Sequence, residues 1–202
     1  MDILIAGATG KTGLRLVNEL KTRGHAPIAL VRESSDTGAL PDDVALRRGD
    51  LTDLENGVCD GCDAVIFAAG SGGSTGPEMT DKVDRDGAKR LIDLAAEAGV
   101  SRFVMLSSVG AEDPDPDSEL GHYLQAKHEA DEHLKASGLS YAIVRPVSLT
   151  DDDGSRDMRF GDQVDPKAKA ARGDVAAVLA DAVEDEAWTG KALLMQSILP
   201  DA

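Results

Sequence analysis

Ile3-Leu4-Ile5-Ala6-Gly7-Ala8-Thr9-Gly10-Lys11-Thr12-Gly13 joins a short apolar run to three glycines spaced three residues apart, and its reading decides the fold. Asp2 to Ala6 has the length and composition of a buried strand, while Lys11 to Arg23 places Leu14, Val17 and Leu20 on one helical face. Gly24 follows as a helix stop. Strand, glycine turn and helix in that order make a dinucleotide-binding unit. Its first glycine permits the tight turn, its second lets the backbone approach a diphosphate, and its third lets helix and strand pack. Gly7, Gly10 and Gly13 take those places, with Thr9, Lys11 and Thr12 as further candidate cofactor contacts at a helix N-terminus.

Gly10-Lys11-Thr12 also matches the end of the nucleoside triphosphate loop, G-x-x-x-x-G-K-[ST]. The position that loop needs as its first glycine is Ile5, inside the strand. Val65-Ile66-Phe67-Ala68 supplies no aspartate for magnesium, so the dinucleotide reading is preferred.

Working outward, apolar runs alternate with helical patterns as far as Met195, which implies βαβ units and a parallel sheet. Strands are expected at Pro27–Val31, Val44–Leu46, Ala64–Phe67, Phe103–Leu106, Tyr141–Val144 and Leu193–Met195, the first three of these apolar enough to be buried on both faces. Helices are expected over Val83–Ala98, Glu119–Ala136 and Val175–Val183. Asp113-Pro114-Asp115-Pro116-Asp117 is a loop, because each proline restricts the residue before it. The expected fold is α/β: a doubly wound, mostly parallel sheet in a single domain over residues 1–202, with a minimal substrate-binding portion. Residues 146–172 supply that irregular substrate-side segment.

The chain has 202 residues, enough for one sizeable core. Its formal net charge of -16 repels nucleic acid and anionic membranes, so neither is expected as a partner. No apolar run is long enough to span a bilayer, and no basic region precedes the first strand, so the expected location is cytoplasmic. Spread acidity also fits a salt-adapted surface. The expected partner is a small-molecule substrate; oligomeric state is open.

At the end of strand two, an acidic residue would hold the ribose 2′-hydroxyl of NAD and a basic one the 2′-phosphate of NADP. Arg32 stands there, with Ser34 and Ser35 as hydroxyl donors and Lys11 as a second cation, so NADP is the expected cofactor over NAD. Tyr123 and Lys127, four apart on a helix, lie about 40° apart on one face. A tyrosine titrates near pH ~10, and a nearby ammonium lets it work as an acid or base closer to neutrality. Ser108, at a carboxyl strand end beside Ser107, can hydrogen-bond a substrate carbonyl. Ligands of open α/β sheets bind beyond those strand ends, so the glycine turn, Ser107, Ser108 and the loop Gly70 to Pro77 are expected to converge.

These segments, with Val31-Arg32, Gly49-Asp50-Leu51, Asp63-Ala64-Val65-Ile66, Arg102 through Ser108, and Ser137-Gly138-Leu139 through Arg145-Pro146, resemble an atypical short-chain dehydrogenase/reductase. The similarity is to the small NAD(P)-binding group related to nucleotide-sugar epimerases, NmrA-like proteins and flavin/biliverdin reductase. The resemblance implies that Asp50 and Leu51 border the adenine and that Ala68, Ala69 and Gly70 line the cofactor. It further implies that Lys127 holds the nicotinamide ribose and that Pro146 and Val147 flank the nicotinamide. The short C-terminal part argues against a nucleotide sugar as substrate. The Ser108 to Tyr123 interval is shorter than in the extended enzymes, and the Tyr-Lys pair leans away from the flavin/biliverdin branch.

Three motifs are read as incidental. Cys59-Asp60-Gly61-Cys62 precedes a strand instead of opening a helix, so nothing there lowers a thiol pKa. His128 and His133 are five apart, about 140° around a helix, and do not share a metal. Asp151-Asp152-Asp153-Gly154 lacks the calcium-loop ligands at Leu149 and Phe160. No metal is expected. The leading expectation is an NADP-dependent oxidoreductase of a small carbonyl or alcohol, with Tyr123 as acid/base, Ser108 polarising the carbonyl and Lys127 lowering the tyrosine pKa. The alternatives are a non-catalytic NADP sensor and a flavin reductase.

Overall fold

Alternation along β1 (Asp2–Ala6) sets the architecture. Ile3 and Ile5 point to one side of the sheet and Leu4 to the other, and all three are fully buried. The computed structural model describes residues 1–72 and 75–198. On the Ile3 side, helices α1 (Lys11–Thr22) and α5 (Arg172–Glu184) pack through Leu16, Val17, Leu20, Val175 and Leu179. On the Leu4 side, α3 (Ala88–Glu97) and α4 (Gly121–Ala136) cover the sheet through Leu91, Ile92 and Leu134. Full burial of each such side chain contributes about 1.5–3 kcal/mol, so both faces must be covered for the sheet to persist.

The remaining strands are β2 (Ala26–Val31), β3 (Ala45–Arg48), β4 (Ala64–Phe67), β5 (Arg102–Leu106), β6 (Tyr141–Pro146), β7 (Ser148–Thr150), β8 (Met158–Phe160), β9 (Lys169–Ala171) and β10 (Lys191–Ser197). Eight form one sheet in the order β3-β2-β1-β4-β5-β6-β10-β8, parallel throughout except for the β10–β8 pair. The order reverses between β1 and β4, which opens a crevice above their carboxyl ends. This is a doubly wound Rossmann-type α/β domain, as expected from the sequence.

Three local expectations are corrected. Strand β3 is not buried on both faces: it closes one edge of the sheet, and Leu46 is 46% exposed. Its apolar residues satisfy strand propensity without a second layer over them. The helix expected from Val83 starts earlier, as α2 (Pro77–Thr80), and continues through a π-helical turn, Asp81–Gly87, into α3. Residues 146–172, expected to be irregular, hold β8, paired with β10, and β7 and β9, paired with each other in a separate two-stranded sheet. Phe160 packs edge-on against Trp188 with ring centroids 5.5 Å apart, which seats β8.

Helix α1 ends as its sequence dictates. Gly24 has φ +82°, and His25 N–H donates to the Leu20 carbonyl at 2.9 Å across the left-handed turn. Its other end is more constrained. A Cβ on Gly13 would lie 2.0 Å from the Gly7 carbonyl oxygen, whereas one on Gly24 would meet nothing within 4 Å. Gly13→Ala is therefore expected to lower the unfolding free energy by about 3 kcal/mol, against about 1 kcal/mol for Gly24→Ala. Urea denaturation of the two variants checks this, and equal losses would contradict the packing argument.

Candidate functional site

A cleft of about 490 Å³ opens at the switch point between β1 and β4. Of the residues singled out from the sequence, Gly7, Thr9, Gly10, Arg32, Ser35, Asp50, Leu51, Ala68, Ala69 and Gly70 line it. Its floor is backbone. Gly7 has φ +87°, and a Cβ there would be 2.7 Å from the backbone of Ala68, so only glycine lets the first turn lie against the end of β4. Gly10 N–H donates back to the Gly7 carbonyl at 3.0 Å, closing the turn. Helix α1 begins with Gly10 as its cap, has no side-chain cap hydrogen bond and carries no acidic residue in its first turn. The N–H groups at its head have no intrahelical partner and are the natural receptors of an anion.

One rim of the cleft carries charge of both signs. Arg32 follows β2, and its backbone N–H donates to the Ser35 hydroxyl at 3.0 Å, which orders the turn that presents the guanidinium. Asp50 accepts from the Thr52 N–H at 2.9 Å and from its hydroxyl at 2.8 Å. The Thr52 N–H holds the Asp50 carboxyl below the usual carboxylate range, with the Thr52 hydroxyl and the Arg32 charge acting in the same direction against desolvation. Gly87 permits this wall to close, because a Cβ there would meet the Leu51 carbonyl at 2.6 Å. Leu30, Gly49, Thr52, Ser71, Thr75, Met79 and Val83 also line the cleft. The sequence reading did not single these out, though Ser71 and Thr75 lie in the loop Gly70 to Pro77 that it expected near the cofactor. Gly73 and Ser74 of that loop lie outside the described residues.

Other candidates sit away from the cleft lining. Lys11 is exposed and ion-paired with Asp151, Thr12 is buried and accepts from Arg172, and Gly13 packs beneath Gly7. Ser34 is exposed. Pro146 and Val147 are buried at the end of β6, where Val147 N–H donates to the Met195 carbonyl at 3.0 Å. Ser108 and Tyr123 are half-buried; the Ser108 hydroxyl donates to the Val109 carbonyl at 3.2 Å.

Lys127 is 1% exposed, and its place explains two residues absent from the sequence reading. Its ammonium lies 3.9 Å from Asp84 Oδ1 and 5.4 Å from the centroid of the Phe67 ring. Asp84, fully buried in the π-turn, accepts from the Ser71 backbone N–H at 2.9 Å through its other oxygen. Ser71 lines the cleft, so the ion pair lies directly beneath its wall. One turn along α4, the buried Asp131 accepts from the Ser107 hydroxyl at 2.8 Å and from Arg145 at 3.0 and 3.1 Å. Burial raises the Asp131 carboxyl from its ordinary value against the opposing pull of Arg145. Lys127 and Asp131, four apart, were detectable as polar residues on a helix face otherwise lined by Ala126 and Ala130. Asp84 was not, because the π-turn breaks the 3.6-residue phase.

Two of the three motifs read as incidental have ordinary surroundings, while Asp151 and Asp153 of the third pair with Lys11 and Arg15. Burial pushes the Cys59 thiol up to about 12, leaving little thiolate at neutral pH. His128 bonds the Ala111 carbonyl and His133 the Asp93 carboxylate, two different partners.

A family model described as NAD(P)H-binding matches residues 7–186. The chain belongs to the NAD(P)H-binding family. It is 40% identical over 163 residues to the "Uncharacterized sugar epimerase YhfK" of Bacillus subtilis, covering 77% of this chain and 75% of that one. The structure of a putative NAD-dependent epimerase/dehydratase from Bacillus halodurans superposes with a TM-score of 0.91 at 36% identity, covering 98% of this chain and 94% of that one. The oxidoreductase ylbE from Lactococcus lactis gives 0.85 at 29% identity, with 98% and 91% covered. The resemblance to the atypical short-chain dehydrogenase/reductase group therefore holds for this NAD(P)H-binding chain.

The Lys127–Asp84 pair gives a stability test. Removing one partner of a buried pair strands the other charge, so Lys127→Met is expected to lower the unfolding free energy by about 3–5 kcal/mol. Adding Asp84→Asn to Lys127→Met should recover part of that loss in urea denaturation. Additive losses would show that the two charges are uncoupled.

Proposed function

We propose that the protein is an NADP-dependent oxidoreductase acting on a small carbonyl or alcohol. The observation that carries the cofactor half is Arg32 on the cleft rim, beside Ser35 and at the end of β2. There the 2′-phosphate of NADP would meet a guanidinium, and charge-assisted bonds of this kind are the strong ones. Gly7, Thr9 and Gly10 would receive the diphosphate, and Asp50 and Leu51 would border the adenine. The chemistry half rests on the four-residue spacing of Tyr123 and Lys127 on α4, with Ser108 on the loop after β5. When bound, the cofactor supplies the hydride chemistry. Tyr123 would exchange a proton with the substrate oxygen, Ser108 would donate a hydrogen bond to it, and Lys127 would hold the nicotinamide ribose. No nucleic acid or membrane partner is proposed for so acidic a chain.

One observation favours a second reading. The Lys127 ammonium is buried and already engaged with Asp84 and the Phe67 ring. A site whose lysine stays engaged in that way would bind NADP without turnover, as a sensor.

Two measurements separate these readings. Arg32→Ala is expected to raise the dissociation constant for NADP by about tenfold or more while leaving that for NAD unchanged; equal effects would remove the NADP assignment. NADPH oxidation is then followed against carbonyl, quinone and flavin panels. Turnover that falls about a hundredfold in Tyr123→Phe supports the carbonyl reductase. Tight binding with no turnover supports the sensor, and flavin turnover indifferent to Tyr123 supports neither.

A further inference from the structure

Arg172 opens α5, yet its guanidinium reaches the first motif of the chain. Its Nη1 donates to Thr12 Oγ1 at 3.1 Å, and its Nε donates to Asp151 Oδ1 at 2.8 Å. The other oxygen of Asp151 accepts from Lys11 Nζ at 2.5 Å. Arg15 completes the group, donating to the Asp151 backbone carbonyl at 2.5 Å and to the Asp153 carboxylate at 3.1 Å. Three cations are thus gathered at the head of α1 in a chain whose formal net charge is -16. The helix contributes no acidic residue of its own to its first turn. Its counter-ion comes instead from Asp151, 140 residues away.

We propose that Lys11 and Arg172 bind the cofactor diphosphate, and that Asp151 is the internal carboxylate which the diphosphate displaces from them. This rests on the reading that the glycine turn receives that diphosphate. Thr12 is the second residue of α1, so a guanidinium bonded to its hydroxyl lies beside the first turn of the helix, whose N–H groups have no intrahelical partner. A diphosphate brings two negative charges against one and presents paired oxygens that suit the guanidinium fork. Asp151 is a weak competitor. Its side chain is 58% exposed and that of Lys11 66%, so their pairing is screened by water. Arg172 is 24% exposed and positioned by Thr12, so it stays in place as the partner changes.

The reading predicts effects of opposite sign from two contacting residues, which a purely structural salt bridge would not give. The full chain and its variants are titrated calorimetrically at low ionic strength with NADP, NAD and adenosine 2′-monophosphate, which has no diphosphate. Asp151→Asn is expected to tighten both dinucleotides by about two- to fivefold. Arg172→Gln is expected to weaken both by about tenfold, with Arg172→Lys between it and the wild type. Binding of adenosine 2′-monophosphate should not move in any variant. Should Arg172→Gln not fold, Lys11→Gln replaces it, with weakening of both dinucleotides expected.

Asp151→Asn that weakens binding or leaves it unchanged would overturn the proposal, as would an Arg172 effect confined to NADP. A wild-type chain that takes neither dinucleotide would instead sink the underlying reading of the glycine turn, and this proposal with it.

Discussion

Everything at the carboxyl edge of the sheet depends on backbone lying against backbone where β1 meets α1. Gly13 has no side chain to hold its helix off the Gly7 carbonyl, and Gly7 has none to hold its turn off Ala68 and Ala69. With both contacts made, α1 starts immediately above the switch point and presents its unpaired N–H groups there. Two methyl groups would be enough to lift the helix away. The cleft is in this sense a by-product of close packing: side-chain atoms are missing where the helix presents its unpaired donors.

That dependence explains why so much of the cleft lining was legible in the sequence. Glycine spacing, the apolar run before it and the helical pattern after it are local signals, and each reports a backbone requirement directly. Arg32, Asp50 and Ala68 follow because the strand ends of a doubly wound sheet converge by topology. The strand pattern also gave the sheet, with β3 misjudged because strand propensity does not say whether a second layer covers a strand. What was not legible depends on contacts between distant segments. Arg172 meets Thr12 across 160 residues, and Asp84 faces Lys127 only because a π-turn rotates it inward.

The region around α4 is built differently. Ser107, Lys127, Asp131, Arg145 and Asp84 form a buried polar layer joining the ends of β5 and β6, helix α4 and the π-turn. Burying these charges is costly, and replacing such clusters by apolar residues often stabilises a fold. The layer instead fixes register. Asp131 holds Arg145 on β6 and Ser107 after β5, so α4 cannot slide along the sheet without breaking those bonds. Tyr123 rides on the same helix, one turn before Lys127, and its height above the sheet is set by this lock.

The same logic governs the charge of the whole molecule. Thirty-seven carboxylates against 21 lysines and arginines would repel a cofactor that carries several negative charges. Attraction is possible only where cations are concentrated, and here they cluster at the head of α1 and at the end of β2. Concentrated cations in turn repel one another, and the fold relieves that with carboxylates brought in from elsewhere: Asp151 at Lys11 and Arg172, Asp153 at Arg15, Glu33 at Arg48. Each of these carboxylates neutralises a cation that an anionic ligand would otherwise meet unpaired. Their exposure decides the outcome, since Asp151 at 58% and Glu33 at 91% remain in water, where their hold on the cations is weak. On the proposed reading, a dinucleotide held by the backbone donors of the glycine turn would have the advantage over both.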